Sequence, residues 1–166
     1  MPQPPLLVVM GVSGSGKSLI GARLADELGL PFVDADELHP ESNVAKMASG
    51  VPLDDDDRWP WLAIVGERLA AASATGLIVA CSALKRSYRD AILAKAPSTQ
   101  FVHLHGPRDL LAARSGGRTG HFMPASLLDS QLATLEALGV DEPGFVVGVE
   151  GVPGEIVTEI AGRLTH

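Results

Sequence analysis

Five short apolar runs punctuate the chain, and longer amphipathic stretches separate them. Leu6–Met10 is continuous, apolar and bounded by Gly11, the pattern of a strand buried on both faces. Phe32-Val33, the run from Leu77 to Cys81, the run from Gln100 to Leu104 and the run from Phe145 to Val149 repeat that pattern. The stretches between them read as helices. Residues 16–28 carry Leu19, Ile20, Leu24 and Leu28 at helical spacing, with Gly29 to cap the end and Pro31 to forbid continuation. His39-Pro40 opens a second helix running to about Ala48. Four aspartates, 54–57, precede a long segment ending near Ala74 and suit a helix N-terminus, where Pro60 fits only in the first turn. Further helices are expected over 82–96, from Pro107, over 124–138 and from Pro153. Strands alternating with helices predict an α/β fold with a parallel sheet. No repeat or long linker divides the chain, so residues 1–166 are read as one domain, with 38–75 and 115–123 as insertions covering a site.

Between the first strand and the first helix lies Gly11-Val12-Ser13-Gly14-Ser15-Gly16-Lys17-Ser18. This is the pattern G-x-x-x-x-G-K-[ST] in the strand-to-helix context it requires. Glycines let successive backbone amides turn inward toward a phosphate, and the following helix adds its unpaired amides and positive dipole end. Lys17 can reach the β- and γ-phosphates, and the Ser18 hydroxyl can hold Mg²⁺. A plain glycine-rich turn would not require the Lys-Ser ending.

Ligands of such sheets bind beyond the carboxyl ends of the strands. The second strand brings Asp34 and Asp36 there, alternating so that they would share one face of an extended strand. The third strand ends in Cys81-Ser82, without an aspartate for a metal, so Asp34 or Asp36 is best placed to serve it. Arg58, Lys85, Arg86 and Arg89 can face an anionic acceptor, and Lys85 and Arg89, one helical turn apart, can reach the same anion. Arg114 precedes, and Arg118 lies within, a glycine-rich basic stretch, 115–122, that reads as a mobile loop; both can close over ATP and stabilise charge on the transferring phosphoryl group, a catalytic role for Arg118. His39 and His121 are candidates for ligand contact, whereas His103 and His105 lack a third metal ligand.

Composition narrows the class. An apolar fraction of 46% with 20% charged residues is that of a globular protein. A net charge of −7 argues against a nucleic-acid partner, which a basic stripe would signal. One cysteine, Cys81, excludes an internal disulfide. The first five residues lack the basic region of a signal peptide, and no apolar run approaches the ~20 residues of a membrane span, so a cytoplasmic enzyme is expected. No Asn-Lys-x-Asp motif is present to read guanine. A small phosphotransferase is the natural class.

The blocks GVSGSGKS, DADELHPESNVAKMASGVPLDDDDRWPWL, CSALKRSYRD and GHFMPASLLDSQLATLE together resemble the small, phosphate-loop gluconokinases. The resemblance runs from Met10 to about Glu142. It implies phosphorylation of D-gluconate by ATP with Mg²⁺, and a nucleoside-monophosphate-kinase-like three-layer fold with a five-stranded parallel sheet in order 2-3-1-4-5. It implies a homodimer. By position in the motif shared with shikimate kinases, Asp34 would serve the metal and Asp36 the acceptor. Arg114 would lie near the adenine, with Arg118 and His121 in the lid. Arg58, Lys85 and Arg89 would then hold the gluconate carboxylate, while Asp36, His39 and Gln131 bond its hydroxyls. Two other readings stay open: a kinase of another acceptor such as shikimate, and a nucleotide-binding regulator without turnover.

Overall fold

A computed structural model describes residues 4–12, 15–51, 53–116 and 125–164. Five parallel strands form one sheet: β1 (Leu6–Met10), β2 (Phe32–Asp34), β3 (Leu77–Ala80), β4 (Gln100–His105) and β5 (Gly144–Gly148), in the expected order β2-β3-β1-β4-β5. The central strand β1 is buried along its whole length and pairs Leu6 with Leu77 on one side and Val8 with Phe101 on the other. Its continuous apolar run reflects helices on both faces of the sheet.

Alternation along β1 sorts its side chains between two cores. Leu7 and Val9 join Ile20 and Leu24 of helix α1 (Lys17–Leu28) and Ile156 and Ile160 of helix α7 (Pro153–Leu164). Leu6, Val8 and Met10 join Leu62, Val65 and Leu69 of helix α3 (Asp55–Ala71) and Tyr88 and Ile92 of helix α4 (Arg86–Lys95). The molecule is therefore three layers deep. Leu7, Leu24 and Leu62 have no exposed surface, and truncating any one to Ala costs about 2–5 kcal/mol. On α1 the buried stripe is Ile20 and Leu24, while Leu19 faces out at 47% exposure. In chain order α2 (Glu41–Ala48) lies between α1 and α3, and α5 (Arg108–Gly116) and α6 (Ala125–Thr134) lie between α4 and α7.

Three local expectations need correction. The second strand stops at Asp34, and Ala35–Leu38 form a 3₁₀ turn, so Asp34 and Asp36 do not share a strand face. The cause is a cap: the Asp34 carboxylate accepts from the Asp36 amide, which turns the chain. The aspartate run enters helix α3 instead of preceding it, which puts Pro60 in the second turn. The capping box at Asp54 and Asp57 fixes that start. Helix α4 begins at Arg86, not Ser82, because Ala83 takes a left-handed conformation with φ 44° and Lys85 is extended.

Candidate active site

The phosphate loop leaves the carboxyl end of β1 at Gly11, whose φ of 150° and surroundings exclude a larger residue. A Cβ there would lie 2.7 Å from the Leu104 carbonyl and 2.8 Å from Ser15 Oγ. Ser15 is buried and its hydroxyl donates to the Val12 carbonyl at 2.7 Å, closing the loop from inside. Gly16, at φ 87°, delivers the chain into α1 without any side-chain cap, and the first turn carries no acid. Among the described residues, no side chain caps the amides at this helix end. Lys17 Nζ reaches back to the Val12 carbonyl at 3.3 Å. Ser13 and Gly14 lie outside the described residues.

One hydrogen bond ties the loop to the second strand: Ser18 Oγ donates to Asp34 Oδ2 at 2.7 Å. The other Asp34 oxygen holds the Asp36 amide at 3.0 Å. The two expected oxygen donors for a divalent cation are therefore adjacent. Hard oxygen ligands from one hydroxyl and one carboxylate fit Mg²⁺, which takes few protein ligands and completes its shell with phosphates and water. Among the described residues no group of three His, Cys, Asp or Glu forms a denser metal site. Beneath lies Cys81, whose thiol burial pushes up to about 12, so it is no nucleophile; the charges of Lys17, Asp36 and Asp34 all reach it.

Next to this centre stands a polar cluster built on α3 and α4. Asp55 accepts from the Tyr88 hydroxyl at 2.5 Å and from Arg58 at 3.3 Å, and Lys85 Nζ is 3.6 Å from its second oxygen. Arg58 and Lys85 both lie over the Tyr88 ring, 5.8 and 5.5 Å from its centre. The Tyr88 hydrogen bond is the chief cause holding the Asp55 carboxyl below its ordinary value, with Lys85 and Arg58 helping. Two cations share the Asp55 carboxylate here, so both are held side by side on one face.

His39 forms the adjoining wall. Its ring stacks on Trp61 with centroids 4.3 Å apart, and Nδ1 lies 3.2 Å from the Asn43 amide nitrogen. Asn43 is buried and fixed to the Asp57 carbonyl, and the Trp61 indole N–H donates to the Ala35 carbonyl. With Asn43 donating to Nδ1, the ring proton sits on Nε2. Burial lowers the His39 pKa, opposed by Asp36 and aided by Arg58, so the ring is neutral at pH 7.

Arg89 departs from expectation. Its side chain is fully buried: Nε and Nη2 bind Glu142 at 2.6 and 3.0 Å, and Nη1 donates to the Ala83 carbonyl at 2.9 Å. It does not share an anion with Lys85, because burial of a guanidinium demands these internal partners. Arg114 sits in the last turn of α5 and Gln131 on α6, whereas Arg118 and His121 lie outside the described residues. Sequence reading missed Tyr88, Asp55 and Asn43 as site residues. Tyr88 carried a signal: it follows Lys85 by three positions, the spacing of neighbours on a helix face.

A phosphate loop at the switch of a 2-3-1-4-5 parallel sheet, with a serine–aspartate pair beside it, defines a P-loop phosphotransferase. The shikimate kinase family model matches residues 13–134. The gluconokinase of Gluconobacter oxydans is 48% identical, over 95% of this chain and 90% of its own length. The thermosensitive gluconokinase of Escherichia coli is 47% identical over 84% of this chain and 75% of its own. The crystal structure of a gluconokinase from Sinorhizobium meliloti 1021 superposes with a TM-score of 0.84 at 49% identity, covering 98% of this chain and 96% of that one. Shikimate kinase from Acinetobacter baumannii, at 17% identity and a TM-score of 0.62, shares the fold. This chain belongs to the gluconokinase family.

Proposed function

We propose that this protein transfers the γ-phosphoryl group of ATP to the 6-hydroxyl of D-gluconate, giving 6-phospho-D-gluconate and ADP. The observation that carries this reading is a juxtaposition. Arg58 and Lys85 share Asp55, the charges of Arg58 and Asp36 both reach His39, and the Asp36 amide is bonded to the Asp34 carboxylate that also holds Ser18. An acid-binding wall, a hydroxyl-binding wall and a phosphate-binding loop thus meet at one end of the sheet.

In this mechanism the loop amides and Lys17 hold the β- and γ-phosphates and take up charge that develops on the transferring group. Ser18 and Asp34 would hold Mg²⁺, which when bound would supply positive charge to offset that of the phosphates. Arg58 and Lys85 bind the gluconate carboxylate at the far end of the acceptor. His39 Nε2–H and Asp36 bond hydroxyls and fix the chain so that the 6-hydroxyl lies in line with the γ-phosphate. Asp36 accepts the 6-hydroxyl proton late, as the new P–O bond forms and the bond to ADP breaks. Arg114, Arg118 and His121 take the nucleotide-side and lid roles that the family resemblance implies, and Gln131 bonds a gluconate hydroxyl. A cytoplasmic homodimer completes this reading, and sedimentation of the purified chain measures the assembly.

The test is ADP release with Mg-ATP in the presence of D-gluconate, shikimate or other sugar acids. Stimulation by gluconate, with phosphate on its 6-oxygen, is the expected result. Stimulation by shikimate alone would assign another acceptor, and nucleotide binding without any acceptor-dependent release would assign a regulator.

A further inference from the structure

The buried arginine of α4 bonds Glu142 and the carbonyls of Ala83, Leu84 and Ala137, and so grips the segment between the phosphate loop and Lys85. Residues 81–85 connect β3 to α4. At one end the Ser82 carbonyl accepts from the Gly11 amide at 3.3 Å, at the root of the phosphate loop. At the other, Lys85 faces Asp55 and the Tyr88 ring. Between them Ala83 is buried at φ 44°, the one described residue other than glycine with positive φ. An alanine holds that conformation only where surrounding structure over-determines it.

Arg89 supplies that constraint. Nη1 donates to the Ala83 carbonyl at 2.9 Å and to the Leu84 carbonyl at 3.3 Å, and Nη2 reaches the Ala137 carbonyl at 3.4 Å. Nε and Nη2 meanwhile form a two-point bond to Glu142. Glu142 is itself anchored, accepting from the Gly139 amide at 3.3 Å. Burial alone would raise its carboxyl, yet Arg89 and the Gly139 amide hold it below its ordinary value, so the pair is ionised. The segment after α6 adds a second grip: the Leu84 carbonyl accepts from the Glu136 amide at 2.7 Å, and the Glu136 carboxylate caps the Arg86 amide.

A buried ion pair is a weak source of stability, and its better-attested use is to fix one arrangement among several. Here the arrangement is specific, since the guanidinium fork satisfies a carboxylate on one edge and two successive carbonyls on the other. We propose that Arg89, anchored by Glu142, is a positioning residue that locks the 82–85 turn and thereby sets Lys85 against the acceptor carboxylate. This rests on the acceptor role given to Lys85 above.

The test compares Arg89→Lys and Ala83→Gly with wild type. Lysine keeps the charge but cannot bind both edges at once. Glycine leaves the ion pair intact and frees the turn, and serves if Arg89→Lys does not fold. In each variant the KM for D-gluconate rises, by roughly tenfold in Arg89→Lys, while the KM for ATP stays within about twofold. In a Lys85→Met background the Arg89→Lys effect largely disappears, because both changes act through one contact. Wild-type gluconate KM in both folded variants would overturn the proposal, as would an undiminished effect in the Lys85→Met background. A wild type inactive with gluconate would instead refute the acceptor reading. Amide hydrogen exchange over 82–88, which needs no substrate, then decides the clamp: faster exchange in Arg89→Lys supports it, and unchanged exchange overturns it.

Discussion

Two helices present their N-termini differently. Helix α3 closes its own end: Asp54 accepts from the Asp57 amide at 2.9 Å, Asp57 accepts from the Asp54 amide at 3.0 Å, and three acids fill the first turn. Helix α1 brings no side-chain cap and no acid, and enters through a left-handed glycine. The physics at both ends is the same, amides and a positive dipole seeking negative charge. In α3 that demand is met by the sequence itself, and the helix is a rigid platform for Arg58, Trp61 and Asp55. In α1 no side chain of the helix meets the demand, as the proposed phosphate site requires. On that reading a poorly capped helix start marks the site, and a densely acidic one marks support.

The sharpest way to break this contrast is Lys17→Ala. It should lower kcat by about 10²-fold or more with the fold intact, since it removes a transition-state donor. Near-normal turnover in the folded variant would remove Lys17 from the mechanism. The complementary change is Asp54→Ala, which deletes the α3 cap. It should cost about 1 kcal/mol in urea unfolding while kcat stays near wild type. If it instead abolished turnover with stability intact, the division between support and site would fail. The smallest effect is one of pH. The Lys46 hydrogen bond, 2.6 Å long, and the bond from the Asp54 amide hold the Asp57 carboxyl below its ordinary value. The unfolded chain therefore binds this proton first. The stability that Asp57 contributes is complete above the ordinary aspartate range and is lost as pH falls through the folded value. Asp57→Asn should flatten that acid limb in urea titrations between pH 6 and 3. The α1 start, which has no carboxylate of its own, should show no such limb.

His103 adds a second acid-sensitive element away from both helix ends. It is buried on β4, neither ring nitrogen has a partner among the described residues, and burial pushes its pKa down to about 4. Its folded pKa lies below the unfolded value, so its neutral form is favoured in the native state. Stability should fall as pH drops from about 6.5 toward 4, by up to roughly 3 kcal/mol. His103→Leu should remove most of that slope in denaturant titrations over the same range.

The strands and the phosphate loop were legible because their signals are local, whereas the strand order came only from the family resemblance. A run such as Leu6–Met10 ending in Gly11 is read without knowing its neighbours, and parallel pairing follows from the intervening helices. The acceptor wall was half legible. Arg58 and Lys85 stood out as charges near strand ends, but the carboxylate between them came from an aspartate run whose capping role was sufficient explanation. Arg89 was illegible for a different reason. An arginine in a helix reads as exposed, and the glutamate that permits its burial lies 53 positions away. Asp36 illustrates the third kind of gap: a two-residue alternation predicts a shared face only while the strand lasts, and the Asp34 cap ends it one residue early.

Both tryptophans of the chain, Trp59 and Trp61, stand on α3 at the acceptor side. Trp59 meets the Tyr88 ring edge-on at 5.7 Å, and Trp61 stacks on His39. All indole emission therefore originates on helix α3. If the α3–α4 face takes the sugar acid as proposed, native fluorescence should change on adding D-gluconate, an optical gauge of binding that needs no label.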